Sequence, residues 1–297
     1  MDFSIVVPTY KRKEDLIICV ESILRQTKSP VEIIIVDDDN LSDGFVQKLK
    51  NNLNKQGIDL VYHQKDHKKN PRGSSESRNL GMEMASEEIC FILDDDLILD
   101  NDFFEQIVSV WKDNEAESLI GVGGVIKNNR RRGRLEWLYV KIFGLGSDIN
   151  WDVNDVGFQN WDDWIKRQGR GHYVHGGVCS YKKSVLDQLG GFTVRSGGRD
   201  ALEDVDFCLR AKQVGYHFVI DPKAKVIHNH SPSGREDSLA AGFKEGYNRK
   251  RIFSDHCGKT FKNYLWFMWA NTGWVLKQFI TGQFKKGIGM IKGLLSR

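Results

Sequence analysis

Three consecutive carboxylates, Asp94-Asp95-Asp96, follow the apolar run Phe91-Ile92-Leu93. Adjacent acids repel unless a cation offsets them. Oxygen ligands of this kind suit Mg²⁺ or Mn²⁺, which take one or two protein carboxylates and fill the remaining positions with phosphate oxygens and water. A second run, Asp37-Asp38-Asp39, ends the strand pattern Glu32–Val36 in the same manner, so both could open onto one crevice. Taken alone, a run of this kind reads as a solvated acidic loop; its recurrence at two strand ends changes that weighting. Neither run matches an EF-hand, because the sixth-position glycine and the alternating ligands are missing. A third acidic element, Glu203-Asp204-Val205-Asp206, opens a helical pattern. Carboxylates there are stabilised by the helix dipole, so an N-terminal cap is the plain alternative to a chemical role.

Elements are needed to bring these acids together. The first half alternates strand and helix patterns in the rhythm of βαβ units. Strands are expected at Ser4–Val7, Glu32–Val36, about Leu60–His63, Ile89–Leu93 and about Leu119–Val125. Helices are expected over about Glu14–Arg25, where Leu16, Val20, Ile23 and Leu24 repeat at helical spacing, then over Arg78–Ala85 and about Asp102–Trp111. The fold class that follows is α/β, a mostly parallel twisted sheet with helices on both faces. In such a sheet the ligand crevice lies outside the carboxyl ends of the strands, where the acidic runs stand. From Lys127 to about His172 the rhythm is lost. Beyond it come a strand turning into a short helix over Gly176–Leu189, a glycine-rich loop from Gly190 to Gly198, and a helix over about Glu203–Val214. Short strands at Phe218–Ile220 and Lys225–His228 are expected to flank a turn at Pro222.

Taken in order, these pieces resemble the family 2 glycosyltransferases, which have the nucleotide-sugar-binding fold called GT-A. The resemblance covers roughly residues 3 to 230. It rests on Ser4-Ile5-Val6-Val7-Pro8-Thr9-Tyr10-Lys11-Arg12, Ile35-Val36-Asp37-Asp38, Ser77-Arg78-Asn79-Leu80-Gly81 and Leu93-Asp94-Asp95-Asp96. It continues through Gly176-Gly177, Gly190-Gly191-Phe192, Glu203-Asp204-Val205-Asp206 with Arg210, and Val226-Ile227-His228. The resemblance implies that Pro8, Thr9, Tyr10, Arg12, Asp38, Arg78, Asp94 and Asp95 bind the donor, with Asp38 near the base and Arg78 near the same pocket or the diphosphate. It makes Asp94 and Asp96 the metal motif, with Asp96 the direct ligand and His228 completing the metal or diphosphate site. It assigns the general base to Asp204, with Glu203 the second candidate. Asp39-Asn40 departs from the Gly-Ser that commonly follows the first Asp pair.

The implied reaction is a metal-assisted single displacement. A sugar passes from a nucleotide-diphosphate donor, a UDP-sugar favoured, to a hydroxyl of a glycan or lipid-linked acceptor, with inversion at the anomeric carbon. The chemistry is consistent on its own terms: a divalent cation stabilises charge on a leaving diphosphate, and a carboxylate can take the acceptor proton. Gly176, Gly177, Trp161 and Trp164 are weaker candidates for acceptor binding. Trp137, Trp151, Trp161 and Trp164 could offer an apolar platform or simply pack beneath a loop. The run Arg130-Arg131-Arg132-Gly133-Arg134 could hold an acceptor phosphate or be solvated surface. His63, His67, His172 and His175 are read as structural or surface residues.

The net charge of +3 conceals an asymmetry: residues 244–297 carry eleven Lys or Arg against two acids, for +9, which leaves −6 on the rest. An acidic body with a basic aromatic tail argues against a nucleic-acid partner. Residues 1–240 are therefore expected to form the catalytic domain, with a nucleotide-sugar half over 1–126 and an acceptor half over 127–240. Residues 241–297 are expected to form a helical tail. Its apolar stretch Tyr264–Ile280 is interrupted by Asn271, Thr272, Lys277 and Gln278, too short to span a bilayer. It suits peripheral membrane contact through 249–297, with packing on the body as the alternative. Five dispersed cysteines without a CxxC pair, and a start that lacks a signal-peptide pattern, give a cytoplasmic expectation, at most peripheral on the membrane's inner face. The rival enzyme, a sugar-phosphate nucleotidyltransferase, should carry a Gly-rich basic loop after its first strand; this chain has Pro8-Thr9-Tyr10-Lys11-Arg12 there. A catalytically inactive glycan-binding or membrane scaffold of the same fold is the rival from another class.

Overall fold

The computed structural model describes residues 1–297 apart from 115, 196–200, 235 and 297. Strands β1 (Ser4–Thr9), β2 (Glu32–Asp37), β3 (Asp59–Gln64) and β4 (Ile89–Leu93) alternate with helices α1 (Lys13–Leu24), α2 (Asp43–Asn54) and α3 (Ser74–Met84). Then follow β5 (Leu97–Leu99), α4 (Phe103–Asp113), β6 (Leu119–Ile126) and α5 (Arg134–Phe143). Short strands β7 (Asp152–Val153), β8 (Gln159–Asn160) and β9 (Gly169–Gly171) precede β10 (Val178–Lys182), α6 (Lys183–Gln188), α7 (Glu203–Gln213) and β11 (His217–His228). Helices α8 (Ser238–His256), α9 (Phe261–Ile280) and α10 (Phe284–Leu295) complete the chain, α8 beginning two residues before the expected boundary at 240.

The main sheet runs β3-β2-β1-β4-β10-β6-β11-β5, with β9 added on β11. Its first four strands are mutually parallel, and the β6–β11 pair is also parallel. Strand β10 is antiparallel to both β4 and β6. The parallel strands read as nearly unbroken apolar runs because both faces are covered. Ile5, Val7, Ile33, Ile35, Phe91 and Leu93 face one core, into which α1 and α4 pack. Val6, Ile34, Val36, Cys90 and Ile92 face the other, shared with α7. Phe3, Phe91, Phe103 and Phe104 form a tilted aromatic cluster in the first core, with centroids 4.8 to 6.2 Å apart. Each such side chain, fully buried, contributes about 1.5–3 kcal/mol, enough together to hold the strand ends in fixed relation.

Three departures from the sequence reading have physical reasons. Helix α2, which the sequence reading lacks, has only a narrow apolar stripe in a largely polar segment: Leu49 and Leu53 are buried, and Phe45 and Val46 pack partly buried against the same core. Helix α5 lies where no regular element was expected; Val140 is its one buried residue. The two short strands around Pro222 are one strand, β11, whose pairing with β6 shifts register between Ile220 and Lys225, so the proline sits at an irregularity where no ladder bond is needed. The glycine-rich loop expected over Gly190–Gly198 lies outside the described residues from 196 on.

The tail is anchored to the body. His256 Nε2 on α8 lies 2.9 Å from Asp206 Oδ1 on α7. Helices α8 and α10 cross in backbone contact: a Cβ at Gly242 or Gly246 would strike the Lys286 or Met290 carbonyl, and one at Gly289 or Gly293 would strike the Leu239 or Phe243 carbonyl. Helix α9 packs on α5, with Tyr139 O–H donating to the Gly273 carbonyl (2.7 Å) and Trp269 Nε1 to the Ile142 carbonyl (2.7 Å). Among the described residues no helix is long and apolar enough to cross a membrane.

Candidate active site

Sheet register decides which chemistry-bearing residues meet. The turn from β4 to β5 is Asp94-Asp95-Asp96 itself. Because β5 pairs antiparallel with β11, with His228 opposite Leu97, the histidine arrives beside Asp96, and its Nε2 is 3.0 Å from Asp96 Oδ1. Because β10 pairs with β4 with Val178 opposite Leu93, Gly177 comes against Asp94, whose N–H donates to the Gly177 carbonyl (3.1 Å). A side chain at Gly177 would overlap the Asp94 carboxylate, and a Cβ at Gly176 would sit 3.0 Å from Asp204 Cβ. The glycine pair lets the two acids come this close, and both residues line the cavity that holds Asp94 and Asp204.

The three aspartates divide the work. Asp96 is buried and held by the Ser231 N–H on Oδ2 (3.0 Å), and its Oδ1 faces His228 Nε2 at 3.0 Å. Those neighbours and Arg12 hold its pKa down, at about 2. Asp95 is turned inward, accepting from Thr9 Oγ1 (2.8 Å) and Arg12 Nη1 (3.0 Å), and burial pushes its pKa up to about 6. Thr9, Arg12 and Asp95, expected at the donor, bind one another and brace the wall of a cavity that all three line with Asp38. Asp94, a third exposed, meets Arg78 Nη2 at 3.2 Å. Asp94, Asp96 and His228 present one donor atom each within 4.8 Å of one another. Two carboxylates and one imidazole fit a Mn²⁺ or Mg²⁺ ion with positions left for phosphate oxygens and water.

Three cavities adjoin one another, the first two at the sheet's carboxyl edge. The first, about 180 Å³, is lined by Pro8, Tyr10, Asp38, Gly73, Arg78 and Asp94 among others. Asp38 there meets Lys65 Nζ at 2.9 Å, accepts from the Gly73 N–H (3.1 Å), and has His67 Nδ1 at 3.7 Å. Its neighbour Asp37 is not in this cavity: it accepts from the N–H groups of Asp39 and Leu41 and from Tyr62 O–H, fixing the turn that carries Asp38. The second cavity, about 410 Å³, contains Asp94, Trp161, His175, Gly176, Gly177, Glu203, Asp204 and His228. Trp161, Leu202 and Asn129 are shared with a third cavity of about 690 Å³, which Trp164 also lines.

Helix α7 delivers the base candidates. Leu202, immediately before it, sits in the left-handed region at φ 59°, a strained conformation for a leucine. Glu203 accepts from Arg78 Nη1 (2.7 Å) and Ser74 Oγ (3.1 Å), so its charge is already engaged. Asp204 accepts from Tyr173 O–H (2.9 Å) and its Oδ1 from the Val205 N–H (2.8 Å). Burial and then the Glu203 charge raise the Asp204 pKa, against the pull of Arg78. Asp206 points the other way. It accepts from Thr193 Oγ1 (2.5 Å) and Arg210 Nε (3.1 Å), and with His256 these hold its pKa at about 2. Lys65, His67, Tyr173 and His175 belong to the site although no motif marked them; each comes from a loop or short element that approaches only in three dimensions.

Residues 4–190 match Glycosyl transferase family 2, and the chain belongs to that family. It is 26% identical over 238 residues to the glucosyl-dolichyl phosphate glucuronosyltransferase of Haloferax volcanii, covering 77% of this chain and 69% of that one. It is 27% identical over 240 residues to the poly(ribitol-phosphate) β-N-acetylglucosaminyltransferase TarP of Staphylococcus aureus, covering 80% of this chain and 65% of that one. The chain thus spans about two thirds of each relative. Its fold is similar to that of the mannosyltransferase PcManGT from Pyrobaculum calidifontis in complex with GDP-Man and Mn²⁺, with a TM-score of 0.61 at 16% identity over 99% of this chain and 87% of the other. The protein is a glycosyltransferase of the GT-A fold that uses a nucleotide-sugar donor.

The Gly177 contact gives a direct test of the metal-site reading. Gly177→Ala should displace Asp94, weaken Mn²⁺ binding measured by paramagnetic resonance at least fivefold, and leave the melting temperature of the apoprotein within a few degrees. Unchanged Mn²⁺ affinity would show that Asp94 is not a ligand.

Proposed function

We propose that the protein inverts the anomeric centre of a UDP-sugar as it passes the sugar to a hydroxyl of a glycan or lipid-linked acceptor, with Asp204 as general base. The observation that carries this reading is the shared cavity in which Asp204, oriented by Tyr173, faces Asp94 and His228. When bound, a Mg²⁺ or Mn²⁺ ion supplies Lewis-acid stabilisation of the leaving diphosphate. Asp94, Asp96 and His228 hold it, and Arg78 adds positive charge beside the diphosphate. Glu203 is paired with Arg78 and acts as a positioning residue. Pro8, Tyr10 and Asp38 receive the nucleoside. The narrowness of that first cavity favours a one-ring base, and an Asp38 carboxylate oxygen can accept from the imide N–H of uracil. The names of the two relatives, one acting on a dolichyl phosphate sugar and one on a polyol phosphate, support a lipid-linked or polymeric acceptor.

In this reading residues 1–240 form the catalytic domain, 1–126 holding the donor and 127–240 the acceptor, and 241–297 add a peripheral membrane contact. Outward-facing Phe261, Leu265, Met268 and Ile280 of α9 and Ile288 and Leu295 of α10 support that contact. They lie in a segment, 261–297, with six Lys or Arg and no acid, the composition of a helix that lies on an anionic surface. Leu135, Leu138 and Ile142 of the neighbouring α5 extend the apolar surface.

Release of nucleoside diphosphate from UDP-, GDP- and dTDP-sugars should require Mg²⁺ or Mn²⁺, be greatest with a UDP-sugar, and fall at least a hundredfold in Asp96→Ala and Asp204→Asn. Failure of every donor with folded protein and candidate acceptors would favour an inactive scaffold. The base must be ionised to work, so kcat/KM should fall as pH drops through the raised Asp204 pKa. Because the Glu203 charge contributes to that elevation, Glu203→Gln should move the acidic limb to lower pH; a limb that stays put would remove Asp204 from the role. In vesicle sedimentation, wild type should bind phosphatidylglycerol but not phosphatidylcholine, and Leu265→Asp with Ile280→Asp should abolish it. Equal partitioning of both proteins would refute the membrane contact.

A further inference from the structure

The third cavity, about 690 Å³, is walled by the arginine run on one side and by α8, α9 and α10 on the other, and it joins the reaction cavity at Trp161 and Leu202. Most charges around it are internally balanced. Glu136 takes Arg130 Nη2 (2.6 Å) and Lys277 Nζ (3.1 Å), while Glu245 takes Lys286 Nζ (3.2 Å) and Arg249 Nη2 (3.5 Å). Asp163 is engaged by His175 Nε2 (3.5 Å), the Asn129 side chain (2.7 Å) and the Ile126 N–H (3.1 Å). Arg131 and Arg132 are different: among the described residues neither has a carboxylate within salt-bridge distance.

Arg132 is half-buried nonetheless. Among the described residues its Nη1 donates to Asn160 Oδ1 alone (3.0 Å), and its guanidinium stands over the rings of Trp161 (5.3 Å) and Trp137 (5.7 Å). Burial works against its charge, with Glu136, Asp162 and Asp163 opposing only through space. A guanidinium set beside two indoles, with most of its N–H fork unused among the described residues, is available to a bidentate oxyanion. The flanking Trp161 and Trp164 faces suit a sugar ring.

We infer that this cavity binds the acceptor and that it selects acceptors carrying a phosphate monoester or diester next to the accepting sugar, with Arg131 and Arg132 as the anion contacts. The inference rests on the transferase reading and names its acceptor class. It also gives the tail a second task, since α8, α9 and α10 close the acceptor cavity that α5 and the arginine run open.

The test measures binding, so that it stands apart from turnover. By calorimetry at low ionic strength, wild type should bind α-glucose 1-phosphate at least tenfold more tightly than glucose. Arg131→Gln with Arg132→Gln should remove that preference, while Asp96→Asn and Asp204→Asn should keep it. Arg131→Glu alone, at an exposed position, should weaken the phosphate at least threefold with an unchanged melting temperature. Farnesyl phosphoglucose in detergent and a ribitol phosphate oligomer then distinguish a lipid-linked source from a polymeric one by which binds tighter. A preference that survives in the double-arginine variant, disappears in Asp96→Asn, or is absent from wild type would overturn the inference. Phosphate-selective binding without transfer would leave the inference standing and refute the transferase reading instead.

Discussion

The Arg78 guanidinium, with 8% of its side chain exposed, touches carboxylates from two distant parts of the chain: Asp94 at the end of β4 and Glu203 at the start of α7. Five acids crowd this region, Asp94, Asp95, Asp96, Glu203 and Asp204, and burial strengthens their repulsion. Arg78 neutralises the seam between them and is itself held ionised by them, its pKa raised chiefly by Glu203 and Asp94 against its own burial. The arginine is fixed in turn by α3, which lies so close to β1 that a Cβ at Gly81 would strike Val6. Removing one member of such a buried pair typically costs about 3–5 kcal/mol, so the end of β4 and the start of α7 are coupled through this side chain.

Around that seam the chain separates positioning from chemistry. Asp37, Asp95 and Asp206 are each the member of an acidic run most engaged by local donors, and each leaves a neighbour, Asp38, Asp94 or Asp204, on a cavity wall, which Asp95 also reaches. An acidic run at a strand or helix end therefore supplies both a brace and a working group. The paired glycines complete the arrangement by letting Asp94 and Asp204 approach β10 where any side chain would intrude.

This division explains what could be read from sequence. The α7 motif, which opens a polar helix, and His228 stood out through their order and spacing in the family resemblance, whereas the acidic strand ends were legible because each is a short contiguous pattern closing a strongly apolar strand. The inner sheet strands were legible for the same reason. Helix α5 was not: its apolar residues point largely outward, so the stripe that marks a core-facing helix is missing. Tyr173, Lys65 and His175 carry no local signature, and their roles arise only when register brings separate loops to one crevice. The brace role of Asp95 likewise depends on Thr9, 86 residues away in sequence.

The central claim is that one carboxylate activates an acceptor while the leaving diphosphate is held on the opposite side of the sugar, in a single displacement. Proton NMR of the first product formed from an α-linked nucleotide sugar tests it most directly. The account predicts a β-linked product from the earliest time points. An α-linked product would require a covalent or same-face route, and would contradict the assignment of Asp204 as a base acting directly on the acceptor.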